Sequence, residues 1–230
     1  MSSASVALLA AVVAAVAGGV GGWQVPRVVA WLPRPRDLAP DQPGPDYSRL
    51  AAVPGLRTAA LLAGLAVGAV LGYRLGVPVA LPYLHLLVLG MPLGYVDVRV
   101  HRLPDALVLP ALPMAVALVG VVSVATGEPG RLGRALLGMA VAYVGFGGLH
   151  LISPAGFGRG DVKLGAWTAL LTAWLSWPGL LIGVASAIGL GGFVALAVLA
   201  AGGSRRSAIP FGPMLLVGAI ISAVSGSPTG

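Results

Sequence analysis

The sequence predicts an all-α, polytopic integral membrane protein with about eight transmembrane helices, and three observations carry that prediction. Of its 230 residues, 57% are hydrophobic and only 9% are charged, whereas an ordinary soluble domain carries about 25% charged residues. Uncharged apolar runs recur along the chain, and about 20 such residues cross a bilayer as a helix, because each backbone N–H and C=O must bond within its own segment. Finally, 35 glycines would weaken helices in water, but small residues let membrane helices approach closely.

Hydropathy and helix-breaking residues place the spans at 4–23, 58–75, 78–96, 105–125, 135–152, 162–176, 179–202 and 209–224. The first lacks a basic leader region and a clear cleavage site, so it reads as a retained helix. Residues 24–57 contain Pro26, Pro33, Pro35, Pro40, Pro43, Pro45 and Pro54, which predicts an extended, Pro-rich cytoplasmic loop inside a single membrane-embedded domain covering 1–230. The uncharged stretch Leu164–Gly203 is long enough for two helices. It is divided here at Ser176-Trp177-Pro178-Gly179, which leaves the sixth span short.

The net charge of +7 does not indicate nucleic-acid binding, because the Arg residues are scattered among apolar spans rather than gathered on one face. It indicates topology instead. Loops after spans one, three, five and seven hold Arg27, Arg34, Arg36, Arg49, Arg57, Arg99, Arg102, Arg159, Lys163, Arg205 and Arg206, leaving only Arg74, Arg131 and Arg134 for the other side. Positive charge stays cytoplasmic, so the odd loops are expected inside and both termini outside. The chain has no cysteine; disulfides and thiolate zinc sites are excluded.

Two acidic residues lie at span ends that this topology brings to one face. Asp97 follows the third span and Asp161 precedes the sixth. Two carboxylates brought together at a membrane boundary share one proton, because desolvation and repulsion oppose double ionisation. The ionised member then serves as general base on a water while the protonated one donates to a scissile carbonyl. Gly158 and Gly160 would allow close approach of a substrate backbone, and Asp161 near a helix start would have N–H donors beside it. The plainer reading is two solvated residues at helix ends, and spacing alone does not choose between the two.

Three segments do choose. Asp97-Val98-Arg99-Val100-His101-Arg102-Leu103-Pro104-Asp105-Ala106-Leu107, Gly158-Arg159-Gly160-Asp161-Val162-Lys163-Leu164 and Ile209-Pro210-Phe211-Gly212-Pro213 resemble, in order, three elements of the prepilin peptidase (type IV leader peptidase) family, whose members are GxGD aspartyl proteases. The resemblance covers roughly residues 58 to 224. It implies that Asp97 and Asp161 are the catalytic pair, with Gly158, Gly160, Lys163 and Asp105 supporting them or binding substrate. The expected activity is removal of the basic leader from prepilin or pseudopilin precursors in pilus biogenesis or protein secretion, at the cytoplasmic face of a bacterial inner membrane, with the lipid bilayer as the other partner.

Asp105, after Pro104 and before a helix, is explained by capping. Lys163 marks the membrane boundary, and its charge would tune Asp161. Pro210 suits a helix start and Gly212 tight packing. His85, His101 and His150 lack paired ligand spacing, so no metal site is expected. Bifunctional relatives carry paired Cys-x-x-Cys elements that bind zinc in the loop after the first helix, and methylate the new N-terminus with S-adenosylmethionine. This loop has no cysteine. Proteolysis therefore needs no cofactor, and S-adenosylmethionine enters only if the chain also methylates. The alternatives are a transporter, which would favour midplane charges and repeated halves, and a non-enzymatic assembly scaffold. Oligomeric state is open.

Overall fold

The computed structural model describes residues 2–36, 38–39, 41–153, 157–202 and 209–226. Among these it contains helices and no strands: α1 (Ser3–Trp31), α2 (Tyr47–Ala51), α3 (Leu56–Leu75), α4 (Val77–Val100), α5 (Asp105–Ala125), α6 (Gly130–Ile152), α7 (Arg159–Leu175), α8 (Trp177–Ala200) and α9 (Gly212–Ser225). The eight expected spans each have a helix, but not all have the length to cross a bilayer. Six do (α1, α3, α4, α5, α6 and α8), and α9 is a shorter apolar helix. At 17 residues, α7 reaches about 25 Å, less than the roughly 30 Å of hydrocarbon.

What α7 lacks in length it recovers by burial. From Val162 to Trp174 all residues except Lys163 are buried, and α4, α5, α6, α8 and α9 all pack on this helix. Its far end is closed from outside the helix: Arg134 on α6 donates from Nε to the Ala173 carbonyl at 2.7 Å and from one Nη to those of Trp174 and Leu175 at 2.7 and 3.0 Å. These belong to the terminal carbonyls that no helix can satisfy internally. Two further bonds between helices lie inside the bundle, Tyr83 Oη to the Leu171 carbonyl at 3.0 Å and Trp174 Nε1 to Ser123 Oγ at 2.8 Å.

The α1–α3 pair is held differently. Gly64, Gly68 and Gly72, one per turn of α3, face the backbone of Gly18, Ala14 and Ala10 so closely that a Cβ at any of them would overlap a carbonyl. Small residues at a four-residue interval allow this contact in lipid. Outward faces carry exposed Leu62, Val121, Val144, Leu181 and Phe193, as hydrocarbon-facing helices should.

Several boundaries differ from expectation. Helix α1 continues through Pro26 to Trp31, so the loop begins at Leu32 rather than Gln24; a proline is tolerated in a membrane helix whose neighbours surround the freed carbonyl. Nor is the loop extended throughout. Asp46 accepts the Arg49 N–H at 2.9 Å and caps α2, whose Tyr47 is buried, and Tyr95 on α4 donates to the Leu50 carbonyl at 2.8 Å. The break at 176–179 is as read: Ser176 Oγ accepts the Gly179 N–H at 2.9 Å and starts α8. Pro40, Arg205 and Arg206 lie outside the described residues.

Candidate active site

Asp97 and Asp161 sit inside helices rather than beside them, because α4 continues to Val100 and α7 starts at Arg159. The two carboxylates lie within electrostatic reach of each other. Each is held by one backbone N–H.

For Asp161 the donor is local. It is the third residue of α7, and its Oδ2 accepts the Gly158 N–H at 2.9 Å. This is half of a capping box, since glycine has no side chain to complete the exchange. Phe157, one residue earlier, fixes the approach of the chain: its ring stacks on Phe146 at 5.5 Å, and its carbonyl lies 2.6 Å from Nδ1 of His150.

For Asp97 the donor is remote. Only 4% of Asp97 is exposed, and it lies in the last turn of α4, where the helix presents unpaired carbonyls and partial negative charge. Helix α9 offsets this. Of its first donors, Met214 N–H bonds to the Phe211 carbonyl at 3.0 Å and Pro213 has no N–H to offer. The Gly212 N–H remains, and Asp97 Oδ2 accepts it at 2.9 Å. A buried carboxylate and a buried helix start thus satisfy each other.

The two settings are joined by two contacts. Phe211, which precedes Gly212, packs against Phe157 with ring centroids 4.7 Å apart. The loop between α4 and α5 lies on the other side, where a Cβ on Gly160 would come within 2.7 Å of Leu103 Cβ and one on Gly212 within 3.1 Å of Leu103 Cδ2. That loop starts at His101, which takes a left-handed conformation (φ 52°) and donates its N–H to the Asp97 carbonyl at 2.8 Å.

These contacts revise four expectations. Asp105 is not the cap of α5, which is Pro104 with no side-chain bond; its Oδ1 instead accepts from Lys163 Nζ at 2.6 Å. Lys163 is accordingly committed to Asp105 as an ion pair. The space left by the absent side chain of Gly160 is filled by Leu103 rather than open to a substrate, whereas Gly158 is exposed. Gly212 does more than pack, since it supplies the hydrogen bond to Asp97. Leu103, Phe157 and Phe211 are absent from the sequence-based site. Leu103 and Phe211 lie within the quoted segments and Phe157 directly before one, but their mutual contacts depend on how three loops meet.

Among the described residues no group of three or more His, Cys, Asp or Glu is placed to hold a metal ion. The arrangement offers two carboxyl groups, each with one oxygen bonded to the backbone. The other oxygen of each takes no backbone hydrogen bond from the described residues, and acid–base chemistry on a water or peptide bond requires such an atom.

Neither a curated protein nor a solved structure gives a significant match to this sequence. Residues 84–196 do match the family model described as the type IV leader peptidase family, a segment that takes in Asp97, Asp105, Gly158, Gly160, Asp161 and Lys163 but ends before Gly212. That match lies across both carboxylates and the helices that carry them, and it supports placing the chain with the type IV leader peptidase family.

Proposed function

We propose that the protein is an aspartic endopeptidase that removes the basic leader of prepilin-like precursors at the cytoplasmic face of the membrane, with Asp97 and Asp161 as its catalytic pair. What supports this reading is that Asp97 and Asp161, 64 residues apart in sequence, lie within electrostatic reach of each other, each anchored by one backbone N–H. In the reaction, the ionised carboxylate removes a proton from water as it attacks the scissile carbonyl. The protonated partner donates to the carbonyl oxygen; the proton taken from water then passes to the leaving amine, and the diol hydroxyl returns the other to the partner as the C–N bond breaks and the carboxylic acid product forms. Both carboxyls end in their starting states, so they are needed in opposite states of protonation.

The placement of the pair at helix ends suits this substrate. A pilin precursor has a basic leader, which remains on the positive side of the membrane, and an apolar helix, which lies in the bilayer; its cleavage point falls at the boundary between them. The same end of the bundle carries Arg99, Arg102 and Arg159, consistent with a cytoplasmic orientation. The reading covers proteolysis, and no residue of the cysteine-free loop is assigned to S-adenosylmethionine.

The test is co-expression with a prepilin, followed by mass measurement of its N-terminus. Wild type should release the leader, and the same spectrum reports any methylation. Asp97→Asn and Asp161→Asn should each abolish release while the protein accumulates in the membrane, and the double variant should be no worse than either, because groups acting as one unit are not additive. Near wild-type cleavage by either variant would remove that residue from the mechanism.

A further inference from the structure

Leu103 touches the chain at two glycines, and each glycine belongs to the support of a different carboxylate. Gly160 precedes Asp161 directly, in the first turn of α7. Gly212 donates the hydrogen bond to Asp97 from the first turn of α9. An ideal Cβ at either position would collide with or crowd Leu103, at 2.7 and 3.1 Å. The isobutyl group therefore occupies the space between the two helix starts, leaving little room for a Cβ on either side.

A side chain on a loop makes a useful spacer only if the loop is fixed. This one is fixed at both ends. At its start, the His101 N–H bonds to the Asp97 carbonyl at 2.8 Å. At its end, Asp105 meets Lys163 across 58 residues of sequence at 2.6 Å, and Lys163 is two residues beyond Asp161. The pair is partly exposed, with side-chain accessibilities of 27% for Lys163 and 57% for Asp105, so it adds little to global stability. Its position gives it a local use.

We infer that Leu103 is a positioning residue which sets the separation of the two carboxyl groups, and that the Lys163–Asp105 ion pair holds it between Gly160 and Gly212. This rests on the peptidase reading above and adds the element that fixes the geometry of its pair. The role assigned to Leu103 is one of position and involves no reacting atom. It acts by keeping the α7 and α9 starts apart, and the ion pair acts by keeping Leu103 in place.

The experiment uses the full chain in membranes with a prepilin substrate. Leu103→Ala should lower kcat by about 10-fold to 100-fold with KM within about twofold, since misplacement of reacting groups by an ångström is worth that much. Leu103→Met, which keeps most of the volume, should restore most of the rate. Lys163→Met and Asp105→Asn should each lower kcat several-fold, and the exchanged pair Lys163→Asp with Asp105→Lys should recover it. Unchanged kcat in Leu103→Ala, or no recovery in the exchanged pair, would overturn the inference.

A second measurement separates this from the peptidase reading, because it needs no cleavage of prepilin. Tryptic cleavage after Arg102, in the same loop, should be faster in Lys163→Met and in Asp105→Asn than in wild type, and slow again in the exchanged pair. Equal rates in all four proteins would sink the clamp even if prepilin is cleaved. Faster cutting in the single variants alone would support it even if the wild type cleaves no prepilin.

Discussion

The two carboxylates occupy opposite kinds of position. Asp161 stands in the first turn of its helix and takes its hydrogen bond from three residues away; Asp97 stands in the last turn of its helix and takes one from 115 residues away. A helix start attracts negative charge and a helix end repels it. Asp161 is thus supported by its own segment, whereas Asp97 would be poorly supported by α4 alone and depends on α9 being brought against it. The difference teaches that one half of the site is a local motif and the other half a product of the whole fold.

Changes at the two donor glycines should divide along that line. Gly212→Ala is expected to have the larger effect. Its new Cβ would come within 2.8 Å of Asp97 Oδ2 while meeting Leu103 at 3.1 Å, leaving it no free direction, and a shift of the carboxyl should lower kcat by about 100-fold. Measured kcat within a few-fold of wild type would mean that α9 is not the support of Asp97.

Phe157→Ala comes next, because it removes the ring that lies between Phe146 and Phe211. Each aromatic pair contributes about 0.5–1.5 kcal/mol beyond its buried area. Loss of both should loosen the connection between the two settings and reduce the rate roughly 10-fold, with Phe157→Tyr close to wild type. A rate unaffected by the alanine change would show that the settings are not linked through these rings.

Gly158→Ala should be the mildest of the three. The residue is exposed and its φ of −76° suits any side chain; the added Cβ would be 3.2 Å from Asp161 Oδ2, a contact relieved by a few tenths of an ångström. A fall of less than about fivefold is expected, a figure below the cost of a full ångström of displacement. A loss as large as that of Gly212→Ala would erase the distinction between local and remote support, and cleavage kinetics of the two variants side by side decide it.

The same distinction explains what could be read from the sequence. The helices were visible because apolar runs and breakers are local, and Ser176-Trp177-Pro178-Gly179 separated α7 from α8 although no charge lies near. Asp161 and its N–H donor were visible as a helix start. The partner of Asp97 was not, since nothing in Ile209-Pro210-Phe211-Gly212-Pro213 says which carboxylate the Gly212 N–H will face. Lys163 and Asp105 each had a sufficient local explanation, boundary marker and cap, and these hid their pairing. The Pro-rich loop misled in another way: its composition outweighed the cap at Asp46 that starts α2, and Pro26 counted toward the loop although α1 passes through it.

The three carbonyls bound by Arg134 also bear on how the protein is made. Helix α7 is the segment least suited to enter a bilayer alone, being short and carrying Asp161 and Lys163 in its first turns. Its last carbonyls, left bare in hydrocarbon, would each cost several kcal/mol. Arg134 belongs to α6, which leaves the ribosome before α7 and has the length to insert by itself. The guanidinium that receives those carbonyls is thus supplied by a helix that precedes α7 in the chain, so the helix that carries Asp161 ends on a partner synthesised before it.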